Sequence, residues 1–480
     1  MKKVRIFVIC FWVIFLALGM KVPMLWAGEE FKVVTLKDLD DSKKLLDDPR
    51  PYLVEALSYK KILPPGVYAK LSYDVESMKK LWAEIVGFRA PDEVGKIAPE
   101  IMPGTYSYKD KEKYPGLKAL MTEDYYKRFN PGAPPFAGNF PEIKVVPTRQ
   151  YYWALPIAEA TKKYVGQTKL DDKTGIIKEE TYVVGYPFPR PEGKFKANQI
   201  IYNWSKRFWS WDSQYIIQDS KGWTGSHRED NTLSADGWML RLKGRVMEPY
   251  GWFDERAKEQ GEDRIFSYKF YSPRDMFGNI ISAGKYLSPD KFDQMMIYVS
   301  ALRRVRLMSA TDVQDIVGGA DTIYCDSEIF SQKLSTNVFP SKSEVIAERE
   351  LLLPVQRDGS GYMSSKGLEY LNFEWERRPV YVVKMTQLDK NFVYGHRILY
   401  FDKETLMLRF VENYDQKGRL YRTSESIMSF APEMGVPLYG ENLARDHLDL
   451  HSSFVRTFMT PYPSIDRSKV SLGHLVTKGK

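Results

Sequence analysis

The chain has 480 residues, 43% of them hydrophobic and 28% charged, a balance that excludes a disordered chain and allows two or three domains or one large β domain. Of the formal net charge of +8, four charges (Lys2, Lys3, Arg5 and Lys21) fall in the first 27 residues, which hold no acid, so the remainder carries only +4. So mild a surplus makes no case for nucleic acid, which needs Lys and Arg gathered on one element. Aromatic residues make up 14% of the chain, with 31 Tyr and 11 Trp, which suits pleated sheets and also suits a protein that holds apolar or sugar ligands.

Lys2, Lys3 and Arg5 precede an apolar run from Ile6 to Leu18, and Leu25-Trp-Ala27 offers small-residue cleavage before Gly28. This is the pattern of a secretory signal peptide, too short in its apolar part to favour a membrane span. Cys10 leaves with it, so Cys325 stands alone and no intrachain disulfide is expected. A large secreted chain without disulfides fits the periplasm of a Gram-negative bacterium.

Residues 28–147 read as a polar, irregular extension with helical patches. Met78, Leu81, Trp82 and Ile85 have helical spacing, with Ser77 as N-cap. Pro131, Pro134, Pro135, Pro141 and Pro147, with Gly132 and Gly138, mark the best domain boundary. Tyr151 to Tyr164 reads as a short helix, and Thr168 to Val184 as a hairpin with Asp172-Lys-Thr-Gly175 at its tip. Gly185-Tyr-Pro-Phe-Pro-Arg-Pro191 must be extended. Ile200, Ile201, Trp204, Phe208, Trp211 and Tyr215 then recur at three- and four-residue steps, predicting one helix whose polar side carries Asn203, Lys206 and Arg207. Each aromatic buried on that stripe contributes about 2–3 kcal/mol.

Strands follow. Trp238, Leu240 and Leu242 alternate with Met239, Arg241 and Lys243, Phe266, Tyr268 and Phe270 do the same with their neighbours, and Ile297, Val299 and Ala301 lead into Arg303-Arg-Val-Arg306. From Val380 to Ser429 period-two segments alternate with turns at Asp402–Thr405 and Asp415–Gly418, predicting an antiparallel meander with one greasy face. Gly418 stands where a hairpin loop wants positive φ. Beyond Pro432 the chain reads as loop, leaving 433–480 as a tail.

The motifs for chemistry are sparse. His447 and His451 are four apart, but the glutamate of a His-Glu-x-x-His site and a third ligand are missing, so a solvated terminal segment is the better reading. No Gly-x-Ser-x-Gly elbow or phosphate-binding glycine loop appears. A glycosidase carboxylate pair is assembled only by a fold, so sequence singles none out. Cys325 reads as a buried small residue rather than a nucleophile. Arg303, Arg304 and Arg306 form the densest basic cluster, either a solvated strand end or a contact for an anionic head group or a partner. The stripe Trp204, Phe208 and Trp211, with Tyr268 and Phe270, is either core filling or cavity lining.

Several of these segments together resemble a bacterial periplasmic family similar to the Lol-type outer-membrane lipoprotein-sorting carriers: Tyr186-Pro-Phe-Pro-Arg-Pro191 with the Asn203 helix, Ala301-Leu-Arg-Arg-Val-Arg306, and Tyr400-Phe-Asp402, Asn413-Tyr-Asp415 and Gly418-Arg-Leu-Tyr421. The resemblance runs from about Tyr151 to Ser429. It implies a mainly β (α+β) fold, a curved and incomplete antiparallel β-barrel over residues 148–432 with helices capping the concave face. It also implies a carrier of lipid or another hydrophobic ligand, without enzymatic activity or cofactor, in transient membrane contact and working with an RND-type transporter or an outer-membrane protein. On this reading Trp204, Phe208, Trp211, Trp238, Phe266, Tyr268, Phe270, Tyr381 and Tyr400 line the ligand cavity, while Arg303, Arg304 and Arg306 meet a head group or partner. A hydrolase acting on glycan or lipid, and a structural adaptor of an envelope complex, are the competing expectations.

Overall fold

Period-two patterning makes strands the commonest regular element of this chain. The computed structural model describes residues 59–134, 138–308, 314, 321–338, 340–357, 361–363, 369–462 and 465–477, so the expected signal peptide and Cys10 lie outside the described residues. In chain order the strands of the main sheet are Gly104–Ser107 (β1), Glu142–Val146 (β2), Ser213–Trp223 (β3), Glu229–Arg241 (β4), Glu262–Ser272 (β5), Ile280–Tyr286 (β6), Gln294–Val299 (β7), Arg304–Met308 (β8), Ser341–Val355 (β9), Glu374–Gln387 (β10), Tyr394–Asp402 (β11), Leu408–Asp415 (β12), Leu420–Ala431 (β13), Val436–Asp446 (β14) and Ser452–Pro461 (β15). Among the described residues they lie in the order β1-β2-β10-β11-β12-β13-β14-β15-β3-β4-β5-β6-β7-β8, with β9 pairing on β10 off this path. The sheet is curved, mostly antiparallel and not closed into a barrel; the pairing of β2 with β10 is parallel.

The meander from Val380 to Ser429 forms as the alternation predicts, with Gly418 at φ 79° in the β12–β13 turn. It does not stop at Pro432. Val436–Asp446 pairs with β13 and Ser452–Pro461 pairs with β14 and β3, so the supposed loop supplies two central strands. Their alternation is masked in sequence because both faces are covered and the interior positions include Glu441, Arg445 and Arg456, each at most 2% exposed.

Both faces of the meander are buried, where one greasy face was expected. On one face Val380, Val382, Tyr400, Phe410, Ile427, Leu443 and Phe454 share a core with Leu117, Leu120, Tyr125, Phe129 and Phe140. Residues before Pro147 therefore belong to this core, and β1 and β2 to the sheet. The other face is met near the β11–β12 turn by the helices Val75–Val86 (α1) and Leu155–Tyr164 (α2). The indole of Trp82 donates to Glu404 O at 2.8 Å and that of Trp153 to Thr405 O at 3.2 Å. The N-cap of α1 is Asp74 rather than Ser77: its carboxylate accepts from the Ser77 amide at 2.7 Å.

The predicted long helix over 200–215 is a ten-residue helix, Lys196–Ser205 (α3), followed by a turn and then β3. Ser205 Oγ donates to Tyr202 O, a side-chain bond that competes with helix continuation, and Phe208 turns to pack on Tyr186. Its supposedly polar side is buried as well. Asn203 brackets Phe188 by accepting from its amide and donating to its carbonyl, which pins the proline run against the helix.

Charge inside the sheet is paired with charge. Arg378 is fully buried, 2.7 Å from Asp402, 2.8 Å from Glu404 and 3.7 Å from Glu376. Asp402 also accepts from the amides of Glu404 and Thr405, which shapes the β11–β12 turn. Burial pushes the Asp402 carboxyl up, and the Arg378 guanidinium outweighs it, so the group sits below the ordinary carboxylate range. Arg378→Ala strands these carboxylates in the interior. We expect it to lower the free energy of urea unfolding by about 3–5 kcal/mol, while Lys113→Ala at the exposed Lys113–Asp110 pair leaves the urea midpoint in place.

Candidate functional site

Helix α3 lays Ile200, Ile201 and Trp204 inward, and a second segment, Ile323–Leu334, crosses this end of it as a strap. Asp326 anchors the strap to the meander: Tyr394 Oη and Arg397 Nη1 donate to its two oxygens at 2.6 and 2.7 Å. Phe330 follows, its carbonyl accepting from the Trp204 indole at 2.7 Å and its ring 5.3 Å from the Arg397 guanidinium. Between strap, helix and sheet lies a cleft of about 90 Å³, with Ile201, Trp204, Leu287, Phe330 and Leu334 among its apolar walls.

One side of the cleft is charged. Lys206 pairs with Glu179 at 2.8 Å, Arg264 with Asp263 at 3.0 Å and Lys333 with Asp293 at 2.7 Å. Arg207 stacks 3.8 Å from the centre of the Trp204 ring and pairs with Glu328 of the strap, which also lies 3.8 Å from Lys285. Burial lowers Arg207 to about 10, although the Glu328 carboxylate works against it. Burial raises Glu328 in turn, but Arg207 and Lys285 overcome this and hold it at about 2. The arrangement can clamp a strap or hold an anion beside an apolar surface; its acids are each engaged by a cation.

Of the nine residues expected to line one cavity, Trp204 lies on α3, Phe208 and Trp211 in the turn after it, and the six on strands fall on both faces of the sheet. Registry from β10 through β5 puts Tyr400 and Trp238 on one face, with Tyr381, Phe266, Tyr268 and Phe270 on the other. Trp238 packs edge-on against Tyr215 and Tyr462 in a core completed by Ile465 and Val470. Phe266 and Tyr268 pack beside Trp209, Ile216, Met239 and Met459. Phe208 lies under the Arg241 guanidinium at 4.3 Å, Trp211 near Tyr73 at 6.4 Å, and Tyr381 beneath Lys196 and Lys403. Trp204 alone of the nine lines the cleft. Glu328, Phe330 and Lys285 carried no pattern of their own in sequence, because the strap reaches Trp204 from over a hundred residues away; Arg207 read as part of the polar side of the helix but is 3% exposed.

Arg303 occupies the turn before β8, and Arg304 and Arg306 lie exposed on β8, the last strand of the sheet. Cys325 is buried and unpaired, and burial raises its thiol to about 12. His447 and His451 sit around the β14–β15 turn rather than on a helix. His447 meets Thr423 Oγ1 at 3.0 Å, and His451 bridges Asp321 at 2.7 Å and Asp230 at 3.0 Å. Among the described residues no group of three or more His, Cys, Asp or Glu is placed to hold a metal ion.

A half-open antiparallel sheet with a helix and strap closed over an apolar cleft defines the architecture of the site. The chain belongs to the family described as "Protein of unknown function (DUF1329)", which matches residues 122–462. Its structure is similar to a DUF1329 family protein from Desulfovibrio piger, with 14% identity over 55% of this chain and 92% of that one and a TM-score of 0.40. It is also similar to a domain named for outer-membrane lipoprotein sorting from Vibrio parahaemolyticus (15% identity, 57% and 94% coverage, TM-score 0.39) and to a LolA superfamily protein from Nitrosomonas europaea (12%, 57% and 96%, 0.34). No curated protein matches the chain.

Hydrogen bonding of the His451 ring N–H to the Asp321 carboxylate leads in raising His451 to about 9, from an ordinary 6.5, with Asp230 adding to the effect. Between those values the folded chain keeps a proton that the unfolded chain releases. The His451 contribution to stability is therefore complete below about pH 6.5, falls as pH rises and is gone above about pH 9. Urea unfolding at a series of pH values should show the stability gap between wild type and His451→Gln closing across that window.

Proposed function

We propose that this protein is a periplasmic binding and carrier protein for lipid or another hydrophobic ligand, captured at the cleft between α3 and the strap. The observation that carries the reading is the apolar cleft itself, walled by Ile201, Trp204, Phe330 and Leu334 and closed by a segment held through side chains. Ligand pockets run to roughly 300–1,000 Å³, so the cleft of about 90 Å³ is a closed form. Opening it means breaking the Trp204–Phe330 hydrogen bond and the Arg207–Glu328 pair and moving the strap off the helix. An acyl chain in water is unfavourable by about 0.8 kcal/mol for each exposed CH₂, which is the driving force for entry. Arg303, Arg304 and Arg306 are then the contact for an anionic membrane surface or for an RND-type transporter or outer-membrane protein.

One observation favours a structural adaptor instead. The aromatic residues expected to line a cavity are packed against the protein's own side chains, and β8 with its turn exposes Leu302, Val305, Leu307 and Met308. Solvent extraction of the protein, purified gently from its native envelope, followed by mass spectrometry separates the two. The carrier reading expects a lipid-like molecule that is lost when Leu334→Trp fills the cleft. Extracts that are bare for wild type, with envelope proteins retained instead, would leave the adaptor.

A further inference from the structure

The strap holds two consecutive residues, Glu328 and Ile329, at φ 56° and 65°. This left-handed region is uncommon for any residue but glycine and an outlier for a β-branched one. Such strain persists only where surrounding contacts over-determine it, and it clusters at ligand clamps and switches. Here the contacts are visible. The distortion delivers the Glu328 carboxylate to Arg207 and Lys285, and the next residue but one, Phe330, lines the cleft and takes the Trp204 indole hydrogen bond on its carbonyl.

Arg207 is not fully satisfied by this arrangement. Its Nη1 donates to Trp204 O at 2.7 Å and its Nη2 to Glu328, while its Nε, deep in the protein, has no partner. Nε and Nη2 form the edge of a guanidinium that takes a carboxylate or phosphate with two parallel bonds. Glu328 uses one prong of that fork and shares its charge with Lys285. A buried donor without an acceptor is unfavourable, so a better-placed anion has something to gain here.

We propose that Glu328 acts as an internal stand-in for the head group of the ligand, and that the true occupant is an anionic amphiphile. Its carboxylate or phosphate takes the place of the Glu328 carboxylate on Arg207 and Lys285. Its hydrocarbon occupies the cleft between Trp204, Ile201 and Phe330. The strap, released from its left-handed turn, swings off the helix as the ligand enters, so that relief of strain offsets part of the opening. This inference rests on the carrier reading and adds to it the chemistry of the head group.

The test is calorimetric titration of the full-length protein with dodecanoate, dodecyl phosphate and dodecanol, using wild type, Glu328→Gln and Glu328→Gly. Glycine tolerates the left-handed turn, so the second variant keeps the strap backbone even if the first folds poorly. Removing the internal competitor frees Arg207 and Lys285 for an anionic head group, so both anions should bind at least about tenfold more tightly, while dodecanol, which brings no charge to them, should change by less than about twofold. The preferred anion distinguishes a carboxylate source from a phosphate source. Adding Arg207→Gln to Glu328→Gly should erase the preference for anions over dodecanol. Equal gains for all three amphiphiles, or no gain for any over a wild type that binds them, would overturn the head-group assignment while leaving the carrier reading in place. Absence of binding by every variant would bring down the carrier reading itself.

Discussion

The ladder between Ser452–Pro461 and Gln214–Trp223 is the constraint on which the rest of the structure depends. It joins the last strand of the chain to the first long strand of the β3–β8 series, and without it the sheet is two separate meanders. Its partners lie more than two hundred residues apart, so nearly the whole chain must exist before the ladder can close. Once closed, it places β14 and β15 at the centre of the sheet, covered on both faces. That is why Glu441 and Arg456, ordinary surface residues by type, are fully buried and paired with each other. A buried pair of this kind contributes little net stability but is costly to break, so it enforces registry more than it adds strength.

The same enclosure shapes the candidate site. Strap and helix come from distant parts of the sequence, and each is fastened elsewhere first: the strap by Asp326 to Tyr394 and Arg397, the helix by Asn203 to the proline run. Trp204 and Phe330 therefore meet through two rigid supports, joined directly by one indole hydrogen bond and one ion pair to the adjoining residues. Few, specific and polar attachments over an apolar interior make a closure with two defined states, unlike a continuous hydrophobic seam.

Much of the architecture was legible from residue order. Alternation in Val380–Ser429, the turn residues at Asp402 and Asp415 and the glycine at 418 determined local geometry without help from distant contacts. The segment after Pro432 was not legible, because a strand buried on both sides need not alternate and Arg445 and Arg456 disguise it. The stripe from Ile200 to Tyr215 kept helical spacing through a turn and into a strand, since each of its aromatics satisfies a different neighbour. The site was the least legible part. Trp204 announced itself as a large apolar residue, but its partner is the Phe330 carbonyl of a strap more than a hundred residues away, and Glu328 has meaning only beside Arg207.

Among the described residues β8 ends the sheet and pairs with β7 alone, with Val305, Leu307 and Met308 exposed on it. A border like this invites another copy to extend it strand upon strand, the route by which β proteins self-associate. Arg304 and Arg306 would face their own counterparts in such a stack, and like charges at cross-strand spacing repel. In such a stack the two arginines would oppose extension of the rim.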